Sequence, residues 1–574
     1  MPSGNDSLRP LGVLVAALVL AGPSRAQVIN QFGVRIPMRD RVALSANIWI
    51  PASTGRFPTI LIRTPYDKTP QFNRYHLINY VRAGYAVVLQ DTRGRGDSDG
   101  QFDFYFSEGK DGYDTIEWIA RQPWSNGRVG MDGGSYLGTV QWLAARERPP
   151  HLACIAPTAP SGRIFDEIPY LGGAFRLEWA LPWLNLVAGK VSQAELNGLV
   201  RWDSLARQRP LGRLDSLMGR PMPIYQAMLA HPTLDWYWQR IQFGPGDFAR
   251  IEVPSLTVTG WYDGDQPGAL WYWDGMSARG DAAPPHFLIA GPWTHQMTYL
   301  GGEKKLGALT LDSISVLPIQ RIRLEFFDWC LKRETPAWNA PRVRVFIEGT
   351  NRWVSADRYP VPRTESRSLF LMSGGGANSS GGDGRLVSDG PVDGPQDHYV
   401  HDPHDPVPSR DPAVDHGAIE TRQDVLVYST DTLTEPVEVL GRVFVKLWAS
   451  TDAADADFTA KLLDVYPDGR AILLGSQNVG ARRASYREGY QRRVPVVRGK
   501  PEEYNIELFD LGHAFLPGHR IRVEIASAAF PFIDANTGTG RPIARDTTAV
   551  VAHQTVWHDR AHPSRLLLPI PPRP

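Results

Sequence analysis

The N-terminal half of the chain alternates short apolar runs with amphipathic segments, and this alternation limits the fold more than any other feature of the 574 residues. The runs 58–63 (PTILIR) and 85–91 (YAVVLQD) are mostly apolar, as expected of parallel strands that are covered on both faces. A segment with helical apolar spacing lies between them and ends at Gly84. A further helix is predicted over 109–123, where a proline stops it. The pattern predicts a mainly parallel α/β sheet.

Two other segments complete this first part. A hairpin over 34–51, turning at Asp40 and Arg41, precedes the first run. From 163 to 251 the alternation stops, and helical segments follow one another without strands. The pattern then resumes with VPSLTVTGWYDG and PHFLIAGPWTH. We therefore predict an α/β domain over 27–162 and 252–363, with a helical cap inserted over 163–251.

After residue 363 the strands alternate polar and apolar positions. In HRIRVEIAS, Ile521, Val523 and Ile525 face one way, whereas Arg522 and Glu524 face the other. A Pro-Asp-Gly turn joins two strands within DFTAKLLDVYPDGRAILL. These features predict a C-terminal β-sandwich of jelly-roll type over 364–574.

The charge balance and the aromatic content indicate the kind of ligand. Lys and Arg together number 61, as do Asp and Glu, so no net field favours nucleic acid or an anionic membrane. The 18 Trp residues favour thick cores or aromatic-lined pockets for a small organic molecule. We therefore expect a small-molecule substrate and no nucleic-acid partner. These features are compatible with a homo-oligomer.

The N-terminus and the cysteines bear on the compartment. Arg9 precedes the apolar run 11–22 (LGVLVAALVLAG), and small residues at Ser24 and Ala26 fit a cleavage site. The run is too short for a bilayer span, so residues 1–26 are predicted to be a secretory signal peptide, with a buried N-terminal helix as the alternative. The mature protein would be secreted or periplasmic and would need no membrane. Cys154 and Cys330 lie in apolar contexts and are interpreted as buried, inert thiols.

The segment GRVGMDGGSYLGTV provides a candidate nucleophile. Ser135 follows a predicted strand and precedes a predicted helix, and Gly133 and Gly134 provide the permissive backbone that a sharp turn needs. The usual elbow pattern is G-x-S-x-G, but here Leu137 takes the last position and the glycine is delayed to Gly138. A plain glycine turn is the alternative interpretation of this motif alone.

An acid and a base follow later strands in the order that such hydrolases use. Asp263 comes after the strand SLTVTG, and Asp265 is a competing candidate two residues on. His286 precedes its strand, whereas His295 follows the same strand in GPWTHQ. Because working groups lie at the carboxyl ends of the strands, Ser135, Asp263 and His295 form an ordered trio. In this trio His295 would act as general base and Asp263 would orient the imidazole.

An acyl-transfer site also needs donors for the oxyanion. The backbone N–H of Tyr136, directly after the nucleophile, is one candidate. Tyr66, in the loop RTPYDK after an earlier strand, offers a phenolic hydroxyl. A tyrosine that packs under the sheet is the alternative for this position. No Cys/His spacing resembles a zinc site, and this chemistry requires no metal or organic cofactor.

The chain resembles the bacterial cocaine-esterase family of serine hydrolases, which is related to glutaryl-cephalosporin acylases, α-amino-acid ester hydrolases and X-Pro dipeptidyl peptidases. The motifs that carry the resemblance run in order along the mature chain: RTPYDK, GYAVVLQDTRGRGDSDGQF, GRVGMDGGSYLGTVQWLAA, GWYDG, GPWTH, YPDGRAI and FLPGHRIRVEI. The resemblance implies an α/β-hydrolase domain, an inserted helical cap and a jelly roll. It also implies Ser135, Asp263 and His295 as the triad, with Tyr66 and the Tyr136 amide as oxyanion donors.

One departure from the family bears on the substrate. Aryl-ester members place an aromatic residue two positions after the catalytic acid, where this chain has Asp265. A carboxylate is costly beside an apolar acyl group, so Asp265 is hypothesised to face an amine or a polar acyl group; a solvated loop carboxylate is the alternative. Phe175, Trp179 and Trp183 in the cap are candidates to line the acyl site.

The sequence thus predicts an exported serine hydrolase that forms an acyl-Ser135 intermediate. An esterase is favoured over an amide acylase, and an X-Pro dipeptidyl peptidase comes third. A non-catalytic exported binding protein on a hydrolase scaffold is the alternative from a different class.

Overall fold

The computed structural model describes residues 28–332, 338–477 and 479–573. The predicted signal peptide, residues 1–26, lies outside the described residues. No helix within the described ranges is long and apolar enough to cross a membrane.

A ten-stranded sheet forms the first domain. Seven neighbouring strands, in the order β4-β3-β5-β6-β7-β8-β9, run parallel, and β1, β2 and β10 are antiparallel at the two edges. The order and the flanking helices confirm the predicted α/β-hydrolase fold. The strands are β1 (Val28–Pro37), β2 (Ala43–Pro51), β3 (Phe57–Thr64), β4 (Ala86–Asp91), β5 (Ser125–Gly134), β6 (Leu152–Thr158), β7 (Ser255–Tyr262), β8 (His286–Thr294), β9 (Val343–Ile347) and β10 (Arg352–Ala356).

Short helices connect these strands. The segment predicted as one helix after β3 is divided in two, because His76 adopts a positive φ of 50° between the halves. The helices of the α/β domain are α1 (Lys68–Arg74), α2 (Ile78–Arg82), α3 (Glu108–Ala120) and α4 (Tyr136–Arg146).

Between β6 and β7 the chain forms seven α-helices, a 3-10 helix (Leu211–Arg213) and a small hairpin, Tyr170–Leu171 with Ala174–Phe175. This is the character predicted for the inserted cap, whose bounds of 163 and 251 stay a prediction. The helices are α5 (Leu177–Val187), α6 (Ala194–Asn197), α7 (Trp202–Ala206), α8 (Leu214–Leu217), α9 (Pro223–Ala230), α10 (Trp236–Gln239) and α11 (Pro245–Phe248). Helices α12 (Gln266–Ser277), α13 (Met297–Leu300) and α14 (Ile319–Phe327) follow in the α/β domain.

The C-terminal part is all-β, as predicted, and its described residues, 364–477 and 479–573, contain twelve strands that pair in a second sheet system. They are β11 (Glu365–Met372), β12 (Arg385–Val387), β13 (Asp397–His401), β14 (Leu426–Ser429), β15 (Val437–Thr451), β16 (Asp457–Val465), β17 (Ala471–Leu474), β18 (Gly480–Arg483), β19 (Glu502–Phe515), β20 (Arg520–Ala526), β21 (Ala552–Trp557) and β22 (Arg565–Ile570).

The two domains meet at the loop that follows β7. The Gln266 side chain bonds the backbone of Asp510 on β19 twice, accepting from its N–H at 3.1 Å and donating to its carbonyl at 2.8 Å. The Gln477 amide donates to the carbonyl of Gly264. The Gln266 contacts are buried and the Gln477 contact is partly buried, so the C-terminal domain holds the segment on which the candidate acid Asp263 lies.

The interpretation of the two cysteines as inert thiols is wrong. Cys154 on β6 and Cys330, just beyond α14, form a disulfide across 176 residues, with Cα atoms 6.4 Å apart. Apolar sequence context indicated burial correctly, but it cannot show that two distant segments place their thiols together. The bridge ties a central strand to the last helical segment of the α/β domain.

We predict that replacing both cysteines by alanine lowers the free energy of unfolding by about 2–4 kcal/mol, because the unfolded chain loses a long covalent loop. Unfolding in guanidinium with and without reductant measures the change. Protein purified from an oxidising compartment should show no free thiol in denaturant and two after reduction. Two thiols before reduction would contradict the bridge.

Candidate active site

Ser135 lies on a sharp turn between β5 and α4. Its backbone has φ 61° and ψ −129°, a conformation that a residue with a Cβ adopts only where its surroundings fix it. The Ser135 N–H donates to the Thr158 carbonyl at 2.9 Å, which ties the turn to β6. The turn therefore lifts the Ser135 side chain above the carboxyl edge of the sheet, at the N-terminus of a helix.

The structure explains why the glycine pattern around Ser135 departs from the usual elbow. A Cβ at Gly133 would lie 2.6 Å from the Leu137 side chain, so the leucine packs where the turn closes. At Gly138 a Cβ would lie 2.9 Å from the Thr158 carbonyl, because α4 passes close to the end of β6 there. The second glycine is needed one position later than the pattern states.

Asp263 and His295 lie side by side because of the strand register. Tyr262 on β7 pairs with Thr294 on β8, so the next residue of each strand leaves the sheet at the same level. The distance from His295 Nδ1 to Asp263 Oδ1 is 2.7 Å. Asp263 is fully buried and also accepts from Thr259 Oγ1 at 2.8 Å, which fixes the carboxylate. The rejected candidate His286 opens β8 at the other end.

The pKa of His295 reflects its two carboxylate neighbours. Burial lowers the pKa of the imidazole, but the Asp263 carboxylate, with a smaller contribution from Asp265, outweighs burial and raises it to about 9. Asp265 Oδ2 lies 3.9 Å from His295 Nδ1. Because Nδ1 faces the carboxylates, Nε2 is the nitrogen available for proton transfer from a nucleophile.

Nε2 of His295 bonds a different residue from the expected one. The Tyr299 hydroxyl lies 3.0 Å from it. The Tyr66 hydroxyl accepts from Trp183 Nε1 at 3.0 Å, and Ser135 is near enough to lower the pKa of this phenol. Burial raises the pKa of Tyr66 to about 12, against the opposing effects of Trp183 and Ser135. Tyr66 is therefore protonated at neutral pH and can donate.

These residues line one cavity of about 590 Å³. Ser135, His295, Tyr66, Asp265, Trp179 and Trp183 all contribute to its wall. The two tryptophans stack with ring centroids 5.2 Å apart and provide an apolar wall. Phe175 does not line the cavity, contrary to the prediction: it is fully buried, and its ring packs edge-on to Tyr170 and Tyr225.

Two ionisable residues near Asp265, Arg176 and Glu167, were not predicted from the sequence. The Arg176 guanidinium lines the cavity and donates a hydrogen bond to the Glu167 backbone carbonyl. Burial, and to a smaller extent the nearby Asp265 carboxylate, raises the pKa of the Glu167 side chain well above its usual range. Burial also raises the pKa of Asp265, against the attraction of His295 and Arg176. The one signal in the sequence was an arginine within the apolar run GGAFRLEW. This end of the cavity is polar.

No group of three or more His, Cys, Asp or Glu residues that could hold a metal ion occurs in the part of the chain that the structure describes. The strand ends thus bring a histidine bonded to a carboxylate and a serine on a sharp turn into the wall of the same cavity.

Comparison with protein families identifies the architecture. Residues 40–297 match the X-Pro dipeptidyl-peptidase (S15) family, and residues 336–567 match the X-Pro dipeptidyl-peptidase C-terminal non-catalytic domain. The chain belongs to the X-Pro dipeptidyl-peptidase (S15) family. It is also 36% identical over 581 residues to the cocaine esterase of Rhodococcus sp. (strain MB1 Bresler), covering 94% of this chain and 98% of that protein. The resemblance stated from the motifs is confirmed.

Two solved structures share the whole architecture. An aminopeptidase from a marine sediment Thaumarchaeota archaeon superposes with a TM-score of 0.85 at 27% identity, covering 98% of this chain and 100% of its own. An α-amino acid ester hydrolase superposes with a TM-score of 0.82 at 27% identity and the same coverage. The protein is a serine hydrolase that acts on esters.

We predict that Gly134→Ala abolishes activity. A Cβ there would lie 1.9 Å from Tyr299 Cε1, so either the ring beside His295 or the turn that carries Ser135 must move. Gly246→Ala is the matched control, because a Cβ at that position in α11 meets nothing within 4 Å. Ester hydrolysis and circular dichroism of both variants provide the test. A fully active Gly134→Ala enzyme would show that the ring is not held as described.

Proposed function

We propose that the protein is an exported hydrolase that cleaves carboxylic esters through an acyl intermediate on Ser135. The observation that carries the proposal is the 2.7 Å hydrogen bond between His295 Nδ1 and Asp263, beside a serine on a left-handed turn in the same cavity. Each group sits directly after a parallel strand, which is where this fold carries out chemistry.

The proposed reaction has two stages. Nε2 of His295 leaves the Tyr299 hydroxyl and accepts the Ser135 proton while Oγ attacks the ester carbonyl. The tetrahedral oxyanion receives hydrogen bonds from the Tyr66 hydroxyl and the Tyr136 N–H, which is at the first turn of α4 and has no partner within the helix. The imidazolium returns the proton to the departing alcohol, and the C–O bond breaks. Water then repeats the sequence on the acyl-serine and releases the acid.

The acyl group is proposed to carry an amine or another polar group that faces Asp265. This carboxylate lines the cavity close to the imidazole, and an apolar acyl group would take it further out of water without adding a polar partner. An amino-acid ester fits this polar end, and the stacked Trp179 and Trp183 provide an apolar wall. Amide acylase and X-Pro dipeptidyl-peptidase activities are the alternatives within the class.

Export is supported by two independent features. The basic residue, apolar run and small residues before position 27 fit a secretory signal peptide. The Cys154–Cys330 disulfide suits an oxidising compartment. We therefore propose that the mature enzyme works in the periplasm or outside the cell.

Ser135→Ala should lower turnover by at least about 10⁴-fold, because the acyl intermediate cannot form. The panel is p-nitrophenyl acetate, p-nitrophenyl benzoate, phenylglycine methyl ester, a glutaryl amide and Ala-Pro-p-nitroanilide. The preferred substrate separates esterase from acylase and peptidase. Turnover of none of them by the unaltered protein would contradict the proposed substrate classes.

Asp265→Asn should move the acid limb of the pH profile of kcat/KM to lower pH. The Asp265 carboxylate raises the pKa of His295, and His295 acts as a base only when its imidazole is neutral. Removing the carboxylate charge therefore lets the imidazole become neutral at a lower pH. The variant should also lose activity on phenylglycine methyl ester relative to the uncharged phenylacetic methyl ester. Equal changes for the two acyl groups would refute the proposed contact with an amine.

A further inference from the structure

Tyr299 occupies the position that is most important for the leaving group. In the proposed reaction, Nε2 of His295 must give its proton to the departing oxygen, so that oxygen has to come within hydrogen-bond distance of Nε2. The Tyr299 hydroxyl already lies there, at 3.0 Å. The hydroxyl is therefore a direct neighbour of the place where the leaving group forms.

The ring of Tyr299 is held from three sides. It lies against Gly134, where a Cβ would come within 1.9 Å of Cε1. The Tyr75 ring packs edge-on with its centroid 5.9 Å away, and the Arg74 guanidinium lies 5.9 Å from the centroid of the Tyr299 ring. Arg74 is itself bonded to Gln296 at 3.0 Å. A ring fixed in this way keeps its hydroxyl beside Nε2 with little conformational freedom to lose.

The other hydroxyl groups of the site have different partners. The Tyr66 hydroxyl bonds Trp183, and the Tyr136 hydroxyl points away to the Phe104 carbonyl and Glu108. Tyr299 is thus the tyrosine whose hydroxyl reaches the imidazole among the residues that the structure describes. Burial raises its pKa well above the usual range, so the hydroxyl keeps its proton as a donor.

We propose that Tyr299 is a further catalytic residue, which donates a hydrogen bond to the leaving-group oxygen as the tetrahedral intermediate collapses. This inference rests on the proposed acyl-Ser135 mechanism. When the cavity is empty, the hydroxyl bonds Nε2. When the intermediate forms, Nε2–H gives its proton to the leaving oxygen, the C–O bond breaks with its electron pair on that oxygen, and Tyr299 keeps its own proton throughout. The help is greatest for alcohols that leave poorly.

A series of acetate esters tests this role, because the acyl group and deacylation stay the same while the alcohol changes. Tyr299→Phe should lower kcat/KM for ethyl acetate about 10- to 100-fold more than for p-nitrophenyl acetate, whose phenolate leaves without assistance. Phenyl acetate should fall between the two. An equal loss for all three esters would mean that Tyr299 only orients His295, and no loss would mean that it has no role; either result overturns the proposal.

Tyr75→Phe is the matched control, because it removes a hydroxyl from the same ring cluster and leaves Tyr299 in place. This variant should keep the ratio of the three rates that the unaltered enzyme shows. A ratio shifted as in Tyr299→Phe would assign the effect to the ring packing instead. Thermal unfolding of both variants checks folding. Ser135→Ala separates the two proposals: turnover that persists in that variant removes the mechanism itself, whereas Ser135-dependent turnover with an unchanged ratio removes Tyr299 alone.

Discussion

The left-handed backbone of Ser135 is the constraint on which the rest of the site depends. A residue with a Cβ pays for this conformation with strain, and the surrounding structure has to hold it. Gly133, Gly134 and Gly138 let Leu137, Tyr299 and the Thr158 carbonyl come closer than any side chain would permit. The same glycine-lined contacts thus fix the turn, set the distance between α4 and β6, and bring the Tyr299 ring to the imidazole.

The C-terminal domain has a direct part in this geometry. Gln266 and Gln477 tie the loop after β7 to that domain, one through the backbone of Asp510 and the other through the carbonyl of Gly264. Asp263 lies in this loop, between a buried strand and α12. The domain described in its relatives as non-catalytic therefore helps to fix the carboxylate that faces the imidazole. The buried hydrogen bonds between Gln266 and Asp510 are costly to break without replacement.

Much of this arrangement follows from the sequence because it depends on local order along the chain. Continuous apolar runs indicated the parallel strands, and residues placed directly after them must meet at one edge of the sheet. Contacts between distant segments left no comparable signal. Nothing near Cys154 indicates Cys330, and Phe175 has the same apolar neighbours whether it lines a cavity or a core. Tyr299 lies only four residues from His295, yet its contact depends on a ring wedged against Gly134, which spacing alone does not define.

The carboxylate of Asp265 raises the pKa of the proposed base, and this effect bears on the choice of substrate. Close to the imidazole it adds to the effect of Asp263 and favours the protonated base, which cannot accept the Ser135 proton. An aromatic residue at this position would not impose that cost. A cationic acyl group bound at Asp265 would offset the carboxylate and lower the pKa of His295 at the moment of binding. On this argument the amine that Asp265 is proposed to recognise would also activate the base, so specificity would appear in kcat as well as in KM.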